Sequence, residues 1–246
     1  MTTVGKPCSR KLRRQPLMTV DGVVLVHGGL HSAACWDSVR TLLKAPAVAV
    51  DLPGRGCRPA DLATVTLEDC VHAVIDSADE AGFERFVLVG HSIGGVTITE
   101  TAWRHPLRVA HLVYAGALVP APGMSASTIM TGADLPAAEP VVIDEALAKT
   151  LFANDLTDRQ WNEYWQAAVP EAAGIMNARL SGYPQGIPIT YISMADDVAV
   201  PPALAEQMIA NLGVGVRHRA ISAGHLVMAS KPRELAAAIN ELAPGS

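Results

Sequence analysis

The chain has 246 residues, of which 50% are hydrophobic and 17% charged, and this length and composition suit one sizeable hydrophobic core. Five of its 19 basic residues lie before residue 15, so the remainder of the chain is strongly acidic, which argues against a nucleic-acid partner. No apolar run reaches the roughly 20 residues that a membrane span requires, so we expect no membrane insertion.

Residues 1–18 form a basic leader without a single acidic residue. The leader lacks the apolar segment of a secretory signal, and we expect it to be a flexible extension. The cysteines show no close pairing pattern, which favours reduced thiols and a cytoplasmic location. They are Cys8, Cys35, Cys57 and Cys70.

Strand-like and helix-like segments alternate through the first half of the chain. This alternation is typical of a mostly parallel sheet flanked by helices, an α/β fold. The predicted strands cover residues 23–26, 47–50, 86–89 and 109–114, and the predicted helices cover residues 34–44, 67–81 and 95–105.

The alternation is interrupted from residue 119 to residue 186, where prolines divide the sequence into short predicted helices. We interpret this block as a helical cap inserted into a core formed by residues 19–118 and 187–246. The cap helices are predicted at 144–152, 158–168 and 171–180, and the core resumes with strands at 188–193 and 216–221 and a helix at 232–242.

A Gly-x-Ser-x-Gly pentapeptide, Gly90 to Gly94, lies between a predicted strand and a predicted helix. This setting is typical of a nucleophile elbow, a sharp turn that lifts a serine hydroxyl above the sheet edge. The flanking glycines allow a strained backbone at Ser92 and a close approach of the helix to the strand. We therefore predict that Ser92 is a nucleophile.

A nucleophilic serine needs a base and an orienting acid, and in this arrangement both follow the serine, each on a loop after a strand. His225 is the histidine that combines such a loop with a position after the acid. The acid is Asp196 or Asp197, because both follow the strand at 188–193 and only one can hold the imidazole. His91, inside the elbow, is interpreted as structural.

The first predicted strand ends in His27-Gly28-Gly29-Leu30-His31. A glycine pair after a strand lets backbone N–H groups approach a substrate oxygen, and together with the N–H of Ile93 it would form an oxyanion hole. His27 and His31 have a metal-like spacing, but the two glycines disfavour a helix there and no third ligand is evident. We predict no metal.

The cap carries three basic residues and eight carboxylates, which favours a neutral or apolar small-molecule substrate over an anion. Its large side chains could line a pocket, although residues of this kind more often belong to a hydrophobic core. The residues predicted to contact substrate are Gly28, His31, Leu118, Trp161, Trp165 and Leu226.

From Val20 to its C-terminus the chain resembles the α/β-hydrolase superfamily. Its His-Gly-Gly-Leu-His segment with Trp36 is similar to the branch that contains plant methylesterases, hydroxynitrile lyases and their bacterial relatives. Tyr191-Ile192 followed by Asp197 and Pro201 is similar to the acid loop of that branch. The resemblance implies that Asp197 is the acid and that Gly29 and Ile93 supply the oxyanion donors.

Two departures from relatives bear on the chemistry. Hydroxynitrile lyases of this type usually carry threonine and lysine at the positions of Gly28 and Leu226, which favours hydrolysis here. Epoxide hydrolases and haloalkane dehalogenases use an aspartate where this chain has Ser92. The resemblance thus implies a serine hydrolase that cleaves a carboxylic ester, lactone or thioester without a cofactor. The alternatives are a lyase or cyclase with the same base, and a non-catalytic ligand-binding protein. The sequence leaves the oligomeric state open, with a homodimer as one option.

Overall fold

A single twisted sheet organises the protein, whose computed structural model describes residues 19–136 and 139–243. Neighbouring strands are parallel throughout, in the order β2-β1-β3-β4-β5-β6. The strands of the described residues are β1 (Gly22–Val26), β2 (Ala47–Val50), β3 (Phe86–His91), β4 (Val109–Ala115), β5 (Ile189–Met194) and β6 (Arg217–Ile221). The predicted strands are therefore present in the fold.

Helices cover both faces of this sheet. The helices are α1 (Asp37–Arg40), α2 (Leu67–Glu80), α3 (Gly94–Arg104), α4 (Ala126–Thr131), α5 (Glu145–Phe152), α6 (Asp158–Gln166), α7 (Ala173–Met176), α8 (Pro202–Leu212), α9 (Val227–Ser230) and α10 (Pro232–Asn240). A short 3-10 turn, Ala33–Trp36, precedes α1. The predicted α/β architecture is confirmed.

Two hydrophobic cores lie on opposite faces of the sheet because side chains alternate along each strand. Val24 and Leu88 belong to the core beneath α2, α3 and α8. Their neighbours Leu25 and Val89 belong to the core beneath α1, α9 and α10. β1 and β3 are buried along their whole length, which explains their continuous apolar sequences.

Local capping fixes several helix starts. Thr66 and Asp69 form a capping box at the start of α2, and Thr157 and Gln160 form another at the start of α6. In each box a side-chain oxygen accepts an N–H of the first turn, which has no acceptor within the helix. Both helices consequently begin within a residue of the predicted position.

Two predicted helices are shorter than expected by more than two residues. The segment predicted at 34–44 leaves helical geometry after Arg40, because Asn240 of α10 bonds the backbone of Leu42 and Lys44 instead. The helix predicted at 171–180 covers only Ala173–Met176, because Glu171 pairs in extended conformation with Val141. α4, α8 and α9 had no counterpart among the predicted elements.

The strand order creates a crevice at the carboxyl ends of β1 and β3. β1 leads outward to β2, whereas β3 leads to β4 on the other side, so the loops after β1 and β3 diverge. Such a switch point creates an opening at the carboxyl ends of the strands. The segment between β4 and β5, residues 119–186, carries α4 to α7 and is called the insertion below.

The predicted leader, residues 1–18, lies outside the described residues. Within residues 19–136 and 139–243, no helix is both long enough and apolar enough to cross a membrane.

Candidate active site

Ser92 lies in the tight turn between β3 and α3. Its φ angle is 52°, in the left-handed region that a residue with a side chain seldom adopts. A Cβ on Gly90 would lie 2.8 Å from the carbonyl oxygen of Gly94, and a Cβ on Gly94 would lie 2.6 Å from that of His27. Glycine is therefore required on both sides of Ser92 for the helix to pass this close to the strands.

Three side chains from separate loops meet in one hydrogen-bonded row. The hydroxyl of Ser92 lies 3.0 Å from Nε2 of His225, and Nδ1–H of His225 donates to Oδ2 of Asp197 at 2.8 Å. Oδ1 of Asp197 accepts the backbone N–H of Val200 at 2.8 Å. Asp197 and His225 are buried, whereas Asp196 is exposed. The row matches the geometry of a nucleophile, its base and an orienting acid.

His91 contacts the base, His225, through its backbone and its ring. Its Nε2–H donates to the backbone carbonyl of His225 at 2.9 Å, and the two rings lie 4.7 Å apart between centroids. Burial lowers the pKa of His91 well below 6.5, with the neighbouring His225 acting in the same direction. His91 is therefore neutral at neutral pH. The sequence indicated a structural residue, but it gave no sign of this contact with His225.

The glycine pair after β1 lies directly against the serine. A Cβ on Gly28 would lie 2.9 Å from Cβ of Ser92 and 2.7 Å from Nδ1 of His91. A Cβ on Gly29 would lie 3.6 Å from Cγ2 of Ile93. Ile93 occupies the N-cap position of α3 and makes no side-chain capping hydrogen bond. The structure thus brings Gly29 and Ile93 together beside Ser92.

His27 fixes the start of this loop. Its Nδ1–H donates to the carbonyl of Gly28 at 2.7 Å, and its Nε2 accepts the N–H of Leu52 at 3.3 Å. Burial lowers the pKa of His27 from 6.5 to about 4 and that of His31 to about 3. Both nitrogens of His27 are thus used by the backbone, and its role is to hold the loop.

A cavity of about 290 Å³ opens beside Ser92. This volume lies near the lower end of the ~300–1,000 Å³ typical of small-molecule sites. Its wall is mostly apolar, and the insertion supplies much of it. The apolar wall includes Leu118, Met130, Leu147, Phe152, Met176 and Val200. The ring of Phe152 lies 5.3 Å from that of His225.

Of the six residues predicted to contact substrate, Leu118 lines this cavity. Gly28 instead lies behind Ser92, as described above. The ring of His31 packs against that of Tyr164, with 3.6 Å between the ring centroids, and Tyr164 rather than His31 lines the cavity. Leu226 is 1% exposed and belongs to the hydrophobic core beneath α10.

The two tryptophans of α6 also lie away from the cavity. Trp161 is 1% exposed and stacks between Tyr164 and Trp165 at centroid distances of 5.7 and 5.5 Å. Its indole N–H donates to Glu145 at 3.2 Å. Trp165 faces a separate depression that it shares with Leu30 and Val169. Along α6 it is Tyr164 that reaches the cavity wall.

A buried ion pair next to the cavity had no counterpart in the sequence predictions. Nη2 of Arg55 lies 2.5 Å from Oε1 of Glu171, and the side chains are 2% and 9% exposed. Burial raises the pKa of Glu171, and Arg55 opposes that change. Glu171 also lines the cavity. No sequence signal links the two residues, because they lie 116 positions apart.

Comparison with known proteins gives a consistent result. A profile described as "Alpha/beta hydrolase family" matches residues 23–238. A pyrethroid hydrolase from Sphingobium wenxiniae is 30% identical over 92% of this chain and 89% of that protein. Methylesterase 7 from Arabidopsis thaliana is 28% identical over 89% of this chain and 95% of that protein.

Solved structures agree with these sequence relatives. The crystal structure of a pyrethroid hydrolase superposes with a TM-score of 0.76 at 26% identity, covering 93% of this chain and all of that one. An extracellular α/β-hydrolase from a Paenibacillus species gives a TM-score of 0.78 at 22% identity, covering 90% of this chain and 98% of that one. At that identity, the second match bears on the fold alone.

Proposed function

The chain belongs to the alpha/beta hydrolase family, and on that premise we propose that it is a serine carboxylesterase acting through Ser92, His225 and Asp197. Its relatives are named as esterases and hydrolases, and it is an enzyme of the same class. The observation that carries the assignment of residues is the hydrogen-bonded row from Ser92 through His225 to Asp197.

In the first half-reaction, Oγ of Ser92 attacks the ester carbonyl carbon while Nε2 of His225 accepts the hydroxyl proton. Asp197 holds the imidazole in the required tautomer and stabilises the imidazolium. The N–H groups of Gly29 and Ile93 receive the carbonyl oxygen as it becomes negative, and each such donor is worth about 3 kcal/mol. The imidazolium then protonates the leaving alcohol, and the acyl group remains on Ser92.

In the second half-reaction, water attacks the acyl carbon and gives its proton to the neutral His225. The tetrahedral intermediate uses the same two N–H donors. When it collapses, His225 returns the proton to Oγ of Ser92 and the carboxylic acid leaves. The net reaction consumes one water and needs no external base.

The substrate we propose is an ester of a small neutral or apolar molecule. The apolar wall of the cavity supports this class, since it offers an anion few compensating groups. The insertion contributes eight carboxylates and three basic residues, which opposes anionic substrates further. Relatives named for pyrethroids and for methyl esters are compatible with such a substrate.

The insertion serves as a cap in this proposal, because its residues Met130, Leu147 and Phe152 form one side of the cavity. A cytoplasmic location is also part of the proposal. It is supported by Cys35 and Cys57, which are free thiols in the structure.

The other functions considered from the sequence are less well supported. Lyase or cyclase chemistry is disfavoured because the relatives reported above are hydrolases and esterases. A non-catalytic binding protein would not need the complete row of Ser92, His225 and Asp197 at hydrogen-bond distances.

The proposal is tested with Ser92→Ala and a panel of aryl esters of graded acyl length. We expect kcat/KM to fall by roughly 10⁴-fold or more, with far-UV circular dichroism unchanged. A fluorophosphonate should label the wild type and not this variant. Ser38→Ala, at an exposed position of α1, is the control and should retain full activity. Full turnover by Ser92→Ala would refute the mechanism.

A further inference from the structure

The link between α5 and α6 contacts the loops that carry both the acid and the base. Oδ2 of Asp155 accepts the backbone N–H of Gly224 at 2.7 Å, and Nδ2 of Asn154 donates to the backbone carbonyl of Asp196 at 2.7 Å. Gly224 immediately precedes the histidine of the row, and Asp196 immediately precedes its aspartate. Two adjacent residues of the insertion thus reach the two loops.

These contacts belong to a closed arrangement. The N–H of Asp196 donates to the carbonyl of Ala223 at 3.1 Å, so the acid and base loops are also joined directly. Together the three hydrogen bonds form a ring that passes through the acid loop, the base loop and the insertion. Fixing one member of such a ring restricts the positions of the other two.

The fit at Gly224 is tight. A Cβ on this residue would lie 2.4 Å from Oδ1 of Asn154 and 2.5 Å from Oδ1 of Asp155. Any larger side chain would therefore displace the side chains of Asn154 and Asp155 from these positions. The close approach is what allows a short, charge-assisted hydrogen bond to the backbone here.

The insertion also contacts two positions that follow Gly224 in the chain. The ring of Phe152 lies 5.3 Å from that of His225. Nε2 of Gln160 donates to the carbonyl of Ala229, in α9, at 2.9 Å. The insertion thus contacts the chain at Gly224, just before the base, at His225 itself, and at Ala229, just after it.

We propose that Asn154 and Asp155 are positioning residues, which align the His225–Asp197 pair whenever the insertion is seated over the cavity. The inference rests on the proposed esterase function of the same site. Seating the insertion would then complete the cavity wall and set the imidazole against Ser92 in one step. A misplacement of about 1 Å at such a site can cost up to ~10²-fold in rate.

The test compares Asp155→Ala, Asp155→Asn and Asn154→Ala in the full chain, using a neutral aryl ester. We expect Asp155→Ala to lower kcat by about 10- to 100-fold while KM changes by less than about threefold. Asp155→Asn keeps an oxygen acceptor for Gly224 and should recover most of the lost kcat. Asn154→Ala should lower kcat by about three- to tenfold on the same reasoning.

Asp158→Ala is the matched control. Asp158 lies three residues further along the insertion and pairs with exposed Lys149 at the surface, so its removal should leave kcat unchanged. Urea unfolding of every variant separates a loss of alignment from a loss of fold. If Asp155→Ala does not fold, Asn154→Ala decides the question, since its side chain is exposed.

Fluorophosphonate labelling distinguishes a failure of the proposed esterase function from a failure of the positioning role. If the wild type is not labelled at Ser92, the proposed function fails. If the wild type is labelled and Asp155→Ala is labelled at the same rate, with kcat within twofold, the positioning role alone is refuted. A loss of kcat that Asp155→Asn does not recover would also overturn the positioning role.

Discussion

Glu171→Gln should destabilise the protein strongly, because it leaves the guanidinium of Arg55 buried without its anionic partner. The two side chains are 9% and 2% exposed and approach to 2.5 Å. Exposed ion pairs contribute about 0–1 kcal/mol, whereas removing one partner of a buried pair costs about 3–5 kcal/mol. The burial of both side chains places this pair in the second class.

The expected loss is a large part of the total stability of a domain, which is typically about 5–15 kcal/mol. With a urea slope of about 3 kcal/mol/M, the unfolding midpoint should fall by about 1 to 1.7 M, and the slope itself should stay the same. The assay is urea unfolding at neutral pH, followed by far-UV circular dichroism.

Two further variants test whether the buried charge of Arg55 causes the loss of stability. Glu163→Gln breaks the exposed pair with Arg159 and should leave the midpoint unchanged. Arg55→Met combined with Glu171→Gln removes both charges and should be more stable than Glu171→Gln alone. A wild-type midpoint for Glu171→Gln, or a double variant less stable than the single one, would refute the reasoning.

Two other substitutions give separate tests. Gly28→Ala places a methyl group within 3 Å of both Ser92 and His91. We therefore expect kcat for an aryl ester to fall by ~10²-fold. An unchanged kcat would contradict the tight packing of Gly28 against Ser92. Asp51 accepts the N–H groups of Ala33 and Cys57. Partial burial raises the pKa of Asp51, but these hydrogen bonds outweigh that effect and lower the pKa below 3.8. Asp51→Asn should therefore cost about 1–3 kcal/mol at neutral pH. The ionised carboxylate of Asp51 stabilises the fold at pH values above its unfolded-state pKa, and this stabilisation is lost as the pH falls through its lower folded-state pKa. The difference in urea midpoint between the wild type and Asp51→Asn should therefore shrink below about pH 4. A difference independent of pH would contradict the assignment.

Ser92 and His225 could be anticipated because each follows a strand in a fixed order along the chain, whereas that order left Asp196 and Asp197 open and the family resemblance selected Asp197. A parallel sheet brings the carboxyl ends of its strands to one edge, so chain order alone predicts that these loops meet. Strand residues such as Val87 and Val89 were equally clear, since strands buried on both faces have continuous apolar sequences.

The cavity wall could not be predicted in the same way. Trp161 and Tyr164 are large aromatic residues on one short helix, and only its orientation against the core decides which of them faces the cavity. Glu171 shows the same limit for a charged residue. Its sequence neighbourhood favours a helix, but its contacts with Arg55 and Val141, both distant in sequence, hold it in extended conformation.

The place of β6 in the sheet has a consequence for how function is lost. β6 is one of the two edge strands of the described sheet, and His225 lies in the loop after it, whereas Ser92 follows an interior strand. Local opening at this edge would remove one of the supports of His225 while five strands stay paired. Turnover should therefore be more sensitive to fraying of this sheet edge than spectroscopic probes of total secondary structure.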